Sequence, residues 1–219
     1  MQTTDEALKT EVKQWWEEHP MDYMDWTWDG NLKGEGQIKH FFENIDTVFR
    51  KAAFFAQERN SEFLFSRLIP YQELAGKRVL EIGCGLGAHA AEMARSGACV
   101  TAVDLTEKSV LITKERFKIY GLKGDIRVAD AESLPFEDES FDFVWSWGVL
   151  HHTPNTGLAI REIYRVLRMG GEARIMIYHK DSLMSVLGII QEGLKNFLKK
   201  VVNHPGTLQG DVLLMQIPG

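Results

Sequence analysis

The sequence predicts an α/β protein in which a doubly wound, Rossmann-like, mostly parallel sheet follows an N-terminal helical cap. Three observations carry this prediction. Short apolar strand segments alternate with helical segments from residue 77 onward, the links between them are short, and residues 1–75 show no strand pattern. We therefore expect a cap or lid over residues 1–75, a core over 76–180, and a C-terminal helix with a short tail over 181–219.

The predicted elements follow in order along the chain. Helices are expected at 6–18 and 38–58, separated by an aromatic and glycine-rich loop at 21–36. In the core the predicted strands are 78–82, 99–104, 126–129, 141–146 and 172–178. The predicted core helices are 87–95, 106–120 and 155–168, with Thr106 as an N-cap and Gly170-Gly171 after the last of them. A long apolar helix is expected at 181–202.

Composition excludes several classes of protein. A net charge of −6 gives no electrostatic footprint for nucleic acid. No apolar run reaches 18 residues, so we expect no membrane span, and the polar N-terminus is unlike a signal peptide. Cys84 and Cys99 lack metal-ligand spacing and are expected to be reduced core thiols, with no metal site elsewhere. These features predict a cytoplasmic protein.

A glycine-rich turn follows the first predicted strand. Glycines stand at 83, 85 and 87, immediately before a helical segment, and an acid, Glu81, lies inside the strand. Glycine lets a ligand lie against bare backbone N–H groups, and the dipole of the following helix favours an anionic group there. The pattern predicts a site for a nucleoside-bearing cofactor.

The glycine turn alone leaves two cofactors open. Gly83-x-Gly85-x-x-Ala88 also satisfies the dinucleotide fingerprint, and Asp104 lies 21 residues after Gly83, where a ribose-binding acid belongs. An NAD-dependent oxidoreductase is therefore an alternative at this point. In either case Asp104 would accept hydrogen bonds from ribose hydroxyls; the other interpretation is a solvated carboxylate at a strand end.

Three further segments narrow the choice between the two cofactors. They are Asp130-Ala-Glu-Ser-Leu-Pro-Phe136, Phe141 to His152, and Glu162 to Gly171. Together with Glu81 and the glycine turn, these segments resemble the class I S-adenosylmethionine-dependent methyltransferases, in particular the type 11 family that includes quinone-pathway methylases. The resemblance covers about residues 77–180. It implies S-adenosylmethionine as cofactor and methyl transfer to a small-molecule O, N or C nucleophile.

The resemblance also implies a role for each matching position. Asp104 would bind the ribose, Asp130 would accept from the adenine amino group, and the Ala131 N–H would donate to a ring nitrogen. Glu81 would hold the turn or the cofactor's amino group. The full cofactor-binding set is Glu81, Gly83, Gly85, Gly87, Asp104, Leu105, Asp130, Ala131, Trp147 and Gly148. The acids at 132, 137, 138 and 139 are expected to form a solvated loop.

Two histidines follow the fourth predicted strand. His151 or His152 could take the acceptor's proton, because methyl transfer mainly requires an aligned nucleophile and a nearby base. The alternative is that one histidine caps the following loop and the other is merely polar. Tyr178-His179-Lys180 ends the fifth strand at the same edge and could also face the acceptor.

Aromatic residues are numerous near the N-terminus: Trp15, Trp16, Tyr23, Trp26 and Trp28. They predict a lid over the cofactor, with packing against the sheet as the alternative. At the other end, only one apolar run, 212–217, follows the helix at 181–202. We therefore expect incomplete closing strands, a shortened chain, or a homo-oligomer that covers the sheet edge. A non-catalytic cofactor-binding subunit is a third alternative for function.

Overall fold

The computed structural model describes residues 2–19, 32, 34–178 and 211–216, with the backbone alone for 2–4 and 211–216. The predictions for Tyr23, Trp26, Trp28, His179, Lys180 and the helix at 181–202 fall outside the described residues. Within the described ranges, no helix is long and apolar enough to cross a membrane.

A six-stranded sheet forms the centre of the molecule, with the order β3-β2-β1-β4-β5-β6. The first five strands are parallel and β6 is antiparallel to β5. This confirms the Rossmann-like class and adds one closing strand. The strands are β1 (Arg78–Ile82), β2 (Cys99–Asp104), β3 (Asp125–Val128), β4 (Phe141–Trp147), β5 (Leu167–Ile177) and β6 (Asp211–Gln216).

Five α-helices accompany the sheet in the described residues: α1 (Gln2–Glu18), α2 (Glu35–Ala52), α3 (Ala88–Arg95), α4 (Glu107–Ile119) and α5 (Thr156–Val166). The first two form the helical cap. Thr106 caps α4, since its side chain accepts from the Ser109 N–H, as the sequence predicts. Helix α2 ends at Ala52 rather than continuing to 58, and a short 3₁₀ turn, Phe54–Ala56, follows it.

Alternation of side chains along β1 divides the core into two layers. Val79 packs with the cluster beneath α3, whereas Leu80 and Ile82 belong to the cluster beneath α5. Glu81 lies on the same face as Val79, so its carboxylate points toward α3 rather than toward solvent. All five parallel strands end at one edge of the sheet, the edge where ligands bind in open α/β folds.

The junction between α5 and β5 differs from the prediction. The helix ends at Val166, two residues before the expected end, and β5 begins at Leu167 rather than at 172. Leu167 pairs with Phe141 and Glu172 pairs with Phe143, so the residues between them bulge out of register. Gly170, with φ of 71°, permits this bulge. The two glycines therefore lie inside a strand and do not separate a helix from it.

The structure corrects the expectation for one cysteine. Cys84 is buried in the glycine turn, as predicted, but Cys99 is exposed at the first position of β2. The first residue of a strand lies at the rim of the sheet, where neighbouring elements no longer cover it. Both thiols are unpaired.

Candidate cofactor-binding and active site

A cavity of about 260 Å³ opens at the carboxyl edge of the parallel strands. Nine of the residues predicted for the site line it: Gly83, Gly85, Asp104, Leu105, Asp130, Ala131, Trp147, Gly148 and His152. Glu81, Gly87 and His151 do not appear in its lining. The structure thus brings the residues of four separated motifs to one cavity.

The glycine turn is closed by its own hydrogen bonds. The N–H groups of Gly83 and Cys84 both donate to the Val103 carbonyl, at 2.8 and 3.0 Å. The Gly85 N–H donates to Asp104 and the Gly87 N–H to the Cys84 carbonyl. The expectation that these N–H groups are free for a ligand is therefore wrong for these four residues.

Close packing explains two of the glycines. A Cβ at Gly83 would lie 2.1 Å from a methyl carbon of Val149, and a Cβ at Gly87 would lie 2.8 Å from the Thr113 methyl carbon. Both residues have positive φ, 77° and 71°, which glycine adopts without strain. Gly83 thus allows the β1 turn to touch the loop after β4. Gly87 lets α4 pack against the start of α3.

Asp104 fastens the turn to the second strand. Its carboxylate accepts hydrogen bonds from the Gly85 N–H at 3.0 Å, the Thr106 N–H at 3.0 Å and the Thr106 hydroxyl at 2.8 Å. Burial raises the pKa of Asp104, and the hydrogen bonds from Thr106 and Gly85 oppose that rise. The side chain remains part of the cavity lining.

Asp130 is held by the N-terminal helix. The Lys9 ammonium of α1 lies 2.5 Å from Asp130 Oδ2 and 2.8 Å from Glu132 Oε2. Burial alone would lower the pKa of Lys9, but hydrogen bonds to the two carboxylates raise it above its usual value. Glu132 is buried, not solvated as expected, because its other oxygen also accepts from the Asn155 N–H at 2.7 Å.

Two further contacts fix α1 across the cavity. The Glu17 carboxylate accepts from the Glu107 and Lys108 N–H groups, both at 3.1 Å, at the N-terminus of α4. Such a position is favourable for an anion because these N–H groups have no partner within the helix. The Trp16 ring meets His152 edge to face, with centroids 5.2 Å apart, and both residues line the cavity. Neither these two contacts nor the ion pair between Lys9 and Asp130 was foreseen from the sequence.

Glu81 lies beneath the turn and is only 2% exposed. Its Oε1 is 3.6 Å from His89 Nδ1. The same ring nitrogen of His89 accepts a hydrogen bond from the Trp145 indole N–H at 3.1 Å. Burial raises the pKa of Glu81, and the interaction with His89 opposes it. Glu81 Oε2 and His89 Nε2 have no hydrogen-bond partner among the residues that the structure describes.

The two histidines after β4 occupy different positions. Both belong to a 3₁₀ turn, Leu150–His152. His152 lines the cavity, and burial lowers its pKa. His151 lies behind it, against Tyr178 with ring centroids 4.0 Å apart. Burial and the neighbouring His152 lower the pKa of His151 to about 4. Both imidazoles are therefore neutral at pH 7.

An apolar wall completes the cavity, and the sequence reasoning did not assign it. We define this wall as Phe49, Phe55, Phe65, Trp147 and Met176, all of which line the cavity. Phe65 meets Trp147 edge to face at 4.6 Å, and Phe55 lies nearly parallel to it at 6.5 Å. The aromatic spacing at 38–58 indicated a buried helix face but gave no sign that the end of this face borders a ligand.

The described residues contain no cluster of His, Cys, Asp or Glu side chains that could hold a metal ion. The fold and the cavity define a protein that binds a nucleoside-bearing cofactor at the carboxyl ends of β1, β2 and β4. Residues 80–175 match the family model for a methyltransferase domain. This match, over 96 of the 219 residues, identifies the stretch as a methyltransferase domain, in agreement with the resemblance to the class I S-adenosylmethionine-dependent enzymes and with S-adenosylmethionine as cofactor.

Several curated proteins are similar to this chain. Methyltransferase GfsG of Streptomyces halstedii is 33% identical over 163 residues, which are 70% of this chain and 58% of that protein. Phthiotriol/phenolphthiotriol dimycocerosates methyltransferase 1 of Mycobacterium ulcerans is 40% identical over 49% of this chain and 40% of its own length. The 27-O-demethylrifamycin SV methyltransferase of Amycolatopsis mediterranei is 44% identical over 44% of this chain and 37% of its own length.

This chain thus spans roughly half the length of the curated relatives it matches, between 37% and 58% in these three cases. The fold is also shared with a solved structure, a SAM-dependent methyltransferase from Aquifex aeolicus. It superimposes with a TM-score of 0.53 over 74% of this chain and 88% of that one, at 19% identity.

Proposed function

We propose that this chain transfers the methyl group of S-adenosylmethionine to a small-molecule O, N or C nucleophile. One observation carries the proposal: a single cavity joins the glycine turn and two carboxylates to Trp147, Gly148 and His152. The sequence similarity supports it, since the Amycolatopsis mediterranei relative is named for methylating a small molecule, 27-O-demethylrifamycin SV.

The residues present fit the cofactor. Ribose hydroxyls and the adenine amino group are hydrogen-bond donors, and Asp104 and Asp130 are the acceptors in the cavity lining. Leu105 would pack on the adenine, and the Ala131 N–H would donate to a ring nitrogen. The sulfonium carries a positive charge, which the electron-rich face of Trp147 accommodates better than a lysine would. When bound, S-adenosylmethionine supplies an electrophilic methyl group.

The glycine turn and Glu81 have a supporting role in this proposal. Gly85 lets the cofactor approach the backbone of the turn, while Gly83 and Gly87 serve the packing of Val149 and of α4 against it. Glu81 holds the turn from below through His89, because its position faces α3 and it is absent from the cavity lining. Of the two roles that the sequence left open for Glu81, the geometry favours the first.

His152 is the residue that we propose as the proton acceptor. It borders the cavity, its imidazole is neutral because burial lowers its pKa, and a neutral ring can take the proton that the nucleophile loses. His151 supports the ring of His152 from behind, at a centroid distance of 4.1 Å. This division of roles gives the two adjacent histidines different functions.

Helix α1 is the lid in this proposal. Lys9, Trp16 and Glu17 attach it to Asp130, His152 and the start of α4 respectively. A lid of this kind excludes water from the reacting groups and must open to exchange the cofactor. Trp16 is therefore a lid residue, whereas Trp15 is half exposed.

Calorimetric titration with S-adenosylhomocysteine and with NADH distinguishes the proposed methyltransferase from an NAD-dependent oxidoreductase. We expect binding of S-adenosylhomocysteine alone, and the Asp104→Ala variant should lose most of that binding. Tight binding of NADH without S-adenosylhomocysteine would establish the oxidoreductase alternative. Binding of S-adenosylhomocysteine without turnover over a broad acceptor panel would favour a non-catalytic subunit.

The setting that we propose is the cytoplasm, with a small molecule rather than nucleic acid as partner. The two unpaired thiols and the net charge of −6 support this. Among the described strands β6 has one neighbour, so a second copy of the chain could pair with its other side. Cell fractionation and sedimentation would check these points, and a monomer at all concentrations would exclude the oligomer.

A further inference from the structure

Phe65 combines a strained backbone with a buried side chain at the cavity. Its φ is 54°, in the left-handed region that a residue with a bulky side chain adopts only with strain. Its side chain is 1% exposed and belongs to the apolar wall. The other non-glycine residues with positive φ in the described part of the chain, Asn60 and Glu139, are exposed. Strain that places a buried ring at a cavity indicates that the position of this ring matters.

The surrounding loop holds Phe65 in this conformation. The Gln57 side chain crosses the loop: its Oε1 accepts from the Phe65 N–H at 3.1 Å, and its Nε2 donates to the Phe63 carbonyl at 2.6 Å. The Phe65 carbonyl accepts from the Leu68 and Ile69 N–H groups, at 2.8 and 2.9 Å. The backbone of Phe65 is thus fixed at both its N–H and its carbonyl, which is the condition under which a strained conformation persists.

The Phe65 ring lies between a residue held in the core and a residue at the cavity. On the core side it meets the His89 ring at a centroid distance of 4.4 Å and an angle of 72°. His89 accepts from the Trp145 indole N–H and lies next to Glu81, beneath the glycine turn. On the cavity side the ring meets the Trp147 indole at 4.6 Å and 82°. Phe65 therefore connects the support of the turn with the wall of the cavity.

Trp147 is the half-buried member of this group. Its indole lies nearly parallel to Trp145 at 5.5 Å and to Phe55 at 6.5 Å, and Phe65 is the closest of the three rings. Parallel and perpendicular neighbours together restrain the indole in more than one direction. A side chain that is already immobilised loses less entropy when a ligand binds against it.

We propose that Phe65 is a positioning residue for the cofactor: its ring, fixed by the strained loop, holds the Trp147 indole in the orientation against which S-adenosylmethionine binds. This inference rests on the proposed function, in which Trp147 meets the sulfonium. Phe65 acts through Trp147, and its contact with His89 ties the orientation of the indole to the support of the glycine turn. An unstrained backbone at position 65 would point the ring in another direction.

The neighbours Leu64 and Phe65 provide a matched pair of variants. Leu64 is 0% exposed but is absent from the described lining of the cavity. Phe65→Leu keeps apolar bulk and removes the ring, and we expect it to bind S-adenosylhomocysteine roughly fivefold more weakly than the wild type in calorimetry. Leu64→Ala leaves a cavity in the core, so it should be at least as destabilising in urea, yet it should retain the wild-type affinity.

Fluorine NMR of the full chain labelled with 5-fluorotryptophan tests whether Phe65 acts through Trp147. The Trp147 signal is assigned by its loss in Trp147→Phe. In the wild type and in Leu64→Ala this signal should be equally sharp with and without S-adenosylhomocysteine. In Phe65→Leu it should be broadened in the free protein and should sharpen on binding, because the ligand then orders an indole that the ring no longer holds. A residue with a merely structural role would not produce this difference.

Gln57→Met tests the loop with the Phe65 ring intact. Gln57 is absent from the described lining of the cavity, and the variant removes its hydrogen bonds to Phe65 and Phe63. The strained backbone is then less firmly held, so the affinity for S-adenosylhomocysteine should fall by a smaller factor than in Phe65→Leu. If Phe65→Leu does not fold, Gln57→Met provides the same comparison with Leu64→Ala.

Three results would overturn the inference. They are wild-type affinity for S-adenosylhomocysteine in Phe65→Leu and Gln57→Met, an equal loss of affinity in Leu64→Ala, and a Trp147 signal in Phe65→Leu that stays as sharp as in the wild type. Failure of the wild type to bind S-adenosylhomocysteine would instead refute the proposed function.

Discussion

The two carboxylates that line the cavity, Asp104 and Asp130, are held in different ways. Asp104 is fixed from within the core by the Gly85 N–H and by Thr106, so its geometry is set when the sheet forms. Asp130 accepts one hydrogen bond within its own loop, from the Glu132 N–H to Oδ1 at 2.9 Å, and its Oδ2 is held from outside by the Lys9 ammonium of α1. Asp104 is therefore preorganised by the core alone, whereas the position of Asp130 depends in part on α1.

This difference indicates which part of the site is rigid and which part can open for exchange of the cofactor. The turn that holds Asp104 packs against Val149 and Thr113, which belong to the loop after β4 and to α4. The Lys9–Asp130 pair is partly exposed, and exposed ion pairs contribute at most about 1 kcal/mol. Opening of the lid should thus cost little, whereas opening of the turn would require much of the core to rearrange.

The largest expected effect is that of Gly83→Ala. The new Cβ would stand 2.1 Å from a Val149 methyl carbon at a φ of 77°, so we expect a loss of roughly 3 kcal/mol in the free energy of unfolding. Urea denaturation measures it. Gly76→Ala is the matched control, because its φ is 73° and no atom lies within 4 Å of the new Cβ.

The control should lose only about 1 kcal/mol, from backbone strain. Adding Val149→Ala to Gly83→Ala should restore part of the lost stability, because it removes the two methyl groups that clash. Equal losses in both glycine variants, or no recovery in the double variant, would show that close contact of the turn with Val149 is unimportant.

The second prediction compares the carboxylates directly. Asp104→Asn should lower both the melting temperature and the affinity for S-adenosylhomocysteine, the latter by roughly a hundredfold, because an amide cannot accept all three hydrogen bonds. Asp130→Asn should lower the affinity by only about tenfold and leave the melting temperature nearly unchanged. Calorimetry and thermal unfolding measure these effects; similar losses of stability for both variants would contradict the proposed asymmetry.

The third prediction concerns pH. Burial and His152 lower the pKa of His151 to about 4, whereas the unfolded chain has an ordinary histidine near 6.5. Between these values the unfolded state binds a proton that the folded state does not, so stability falls as pH decreases from about 6.5 to 4. Burial raises the pKa of Glu81 and Asp104, which acts in the opposite direction over acidic pH.

The contribution of His151 is therefore measured as the difference in stability between the wild type and a His151 variant. Urea unfolding of the wild type and of His151→Gln from pH 4 to 7 should show a steeper loss of stability toward low pH for the wild type. His19→Gln, one residue beyond the end of α1, is the control and should retain the wild-type slope. Parallel profiles of wild type and His151→Gln would exclude His151 as the source.

The smallest expected effect is on the lid. Lys9→Met removes the ion pairs with Asp130 and Glu132, so S-adenosylhomocysteine should dissociate about threefold to fivefold faster, with little change in the association rate. Stopped-flow measurements of release and of binding give the two rates. Lys13→Met, on the same helix, is the control. An unchanged release rate in Lys9→Met would remove the argument that α1 is a lid.

Sequence reasoning identified the sheet and nine of the residues that line the cavity because their signals are local. The bounds of β1 and β2 agree with the prediction, and Gly83, Asp104 and Asp130 lie within consecutive motifs whose spacing is set by strand and turn lengths. The parallel, doubly wound arrangement of the sheet followed from the alternation of strands and helices. The division of the chain at residues 75 and 180 stays a prediction.

What the sequence did not reveal depends on contacts over long distances. Lys9 and Asp130 are 121 positions apart, and nothing near either residue indicates the pair. The extra residues of β5 were missed because Gly170-Gly171 is typical of a helix end, whereas here these residues bulge from a strand. His151 and His152 occupy different positions because both lie in a 3₁₀ turn. Two adjacent histidines in a sequence give no sign of that geometry.

The placement of tryptophans gives the molecule an internal optical reporter. Trp16 on α1 and Trp147 at the end of β4 border the same cavity from opposite elements, and Trp16 touches His152. Emission from these indoles should change when a ligand enters, and the Trp16 signal should also follow movement of α1. Occupancy and lid motion could then be observed on the unlabelled protein in a single experiment.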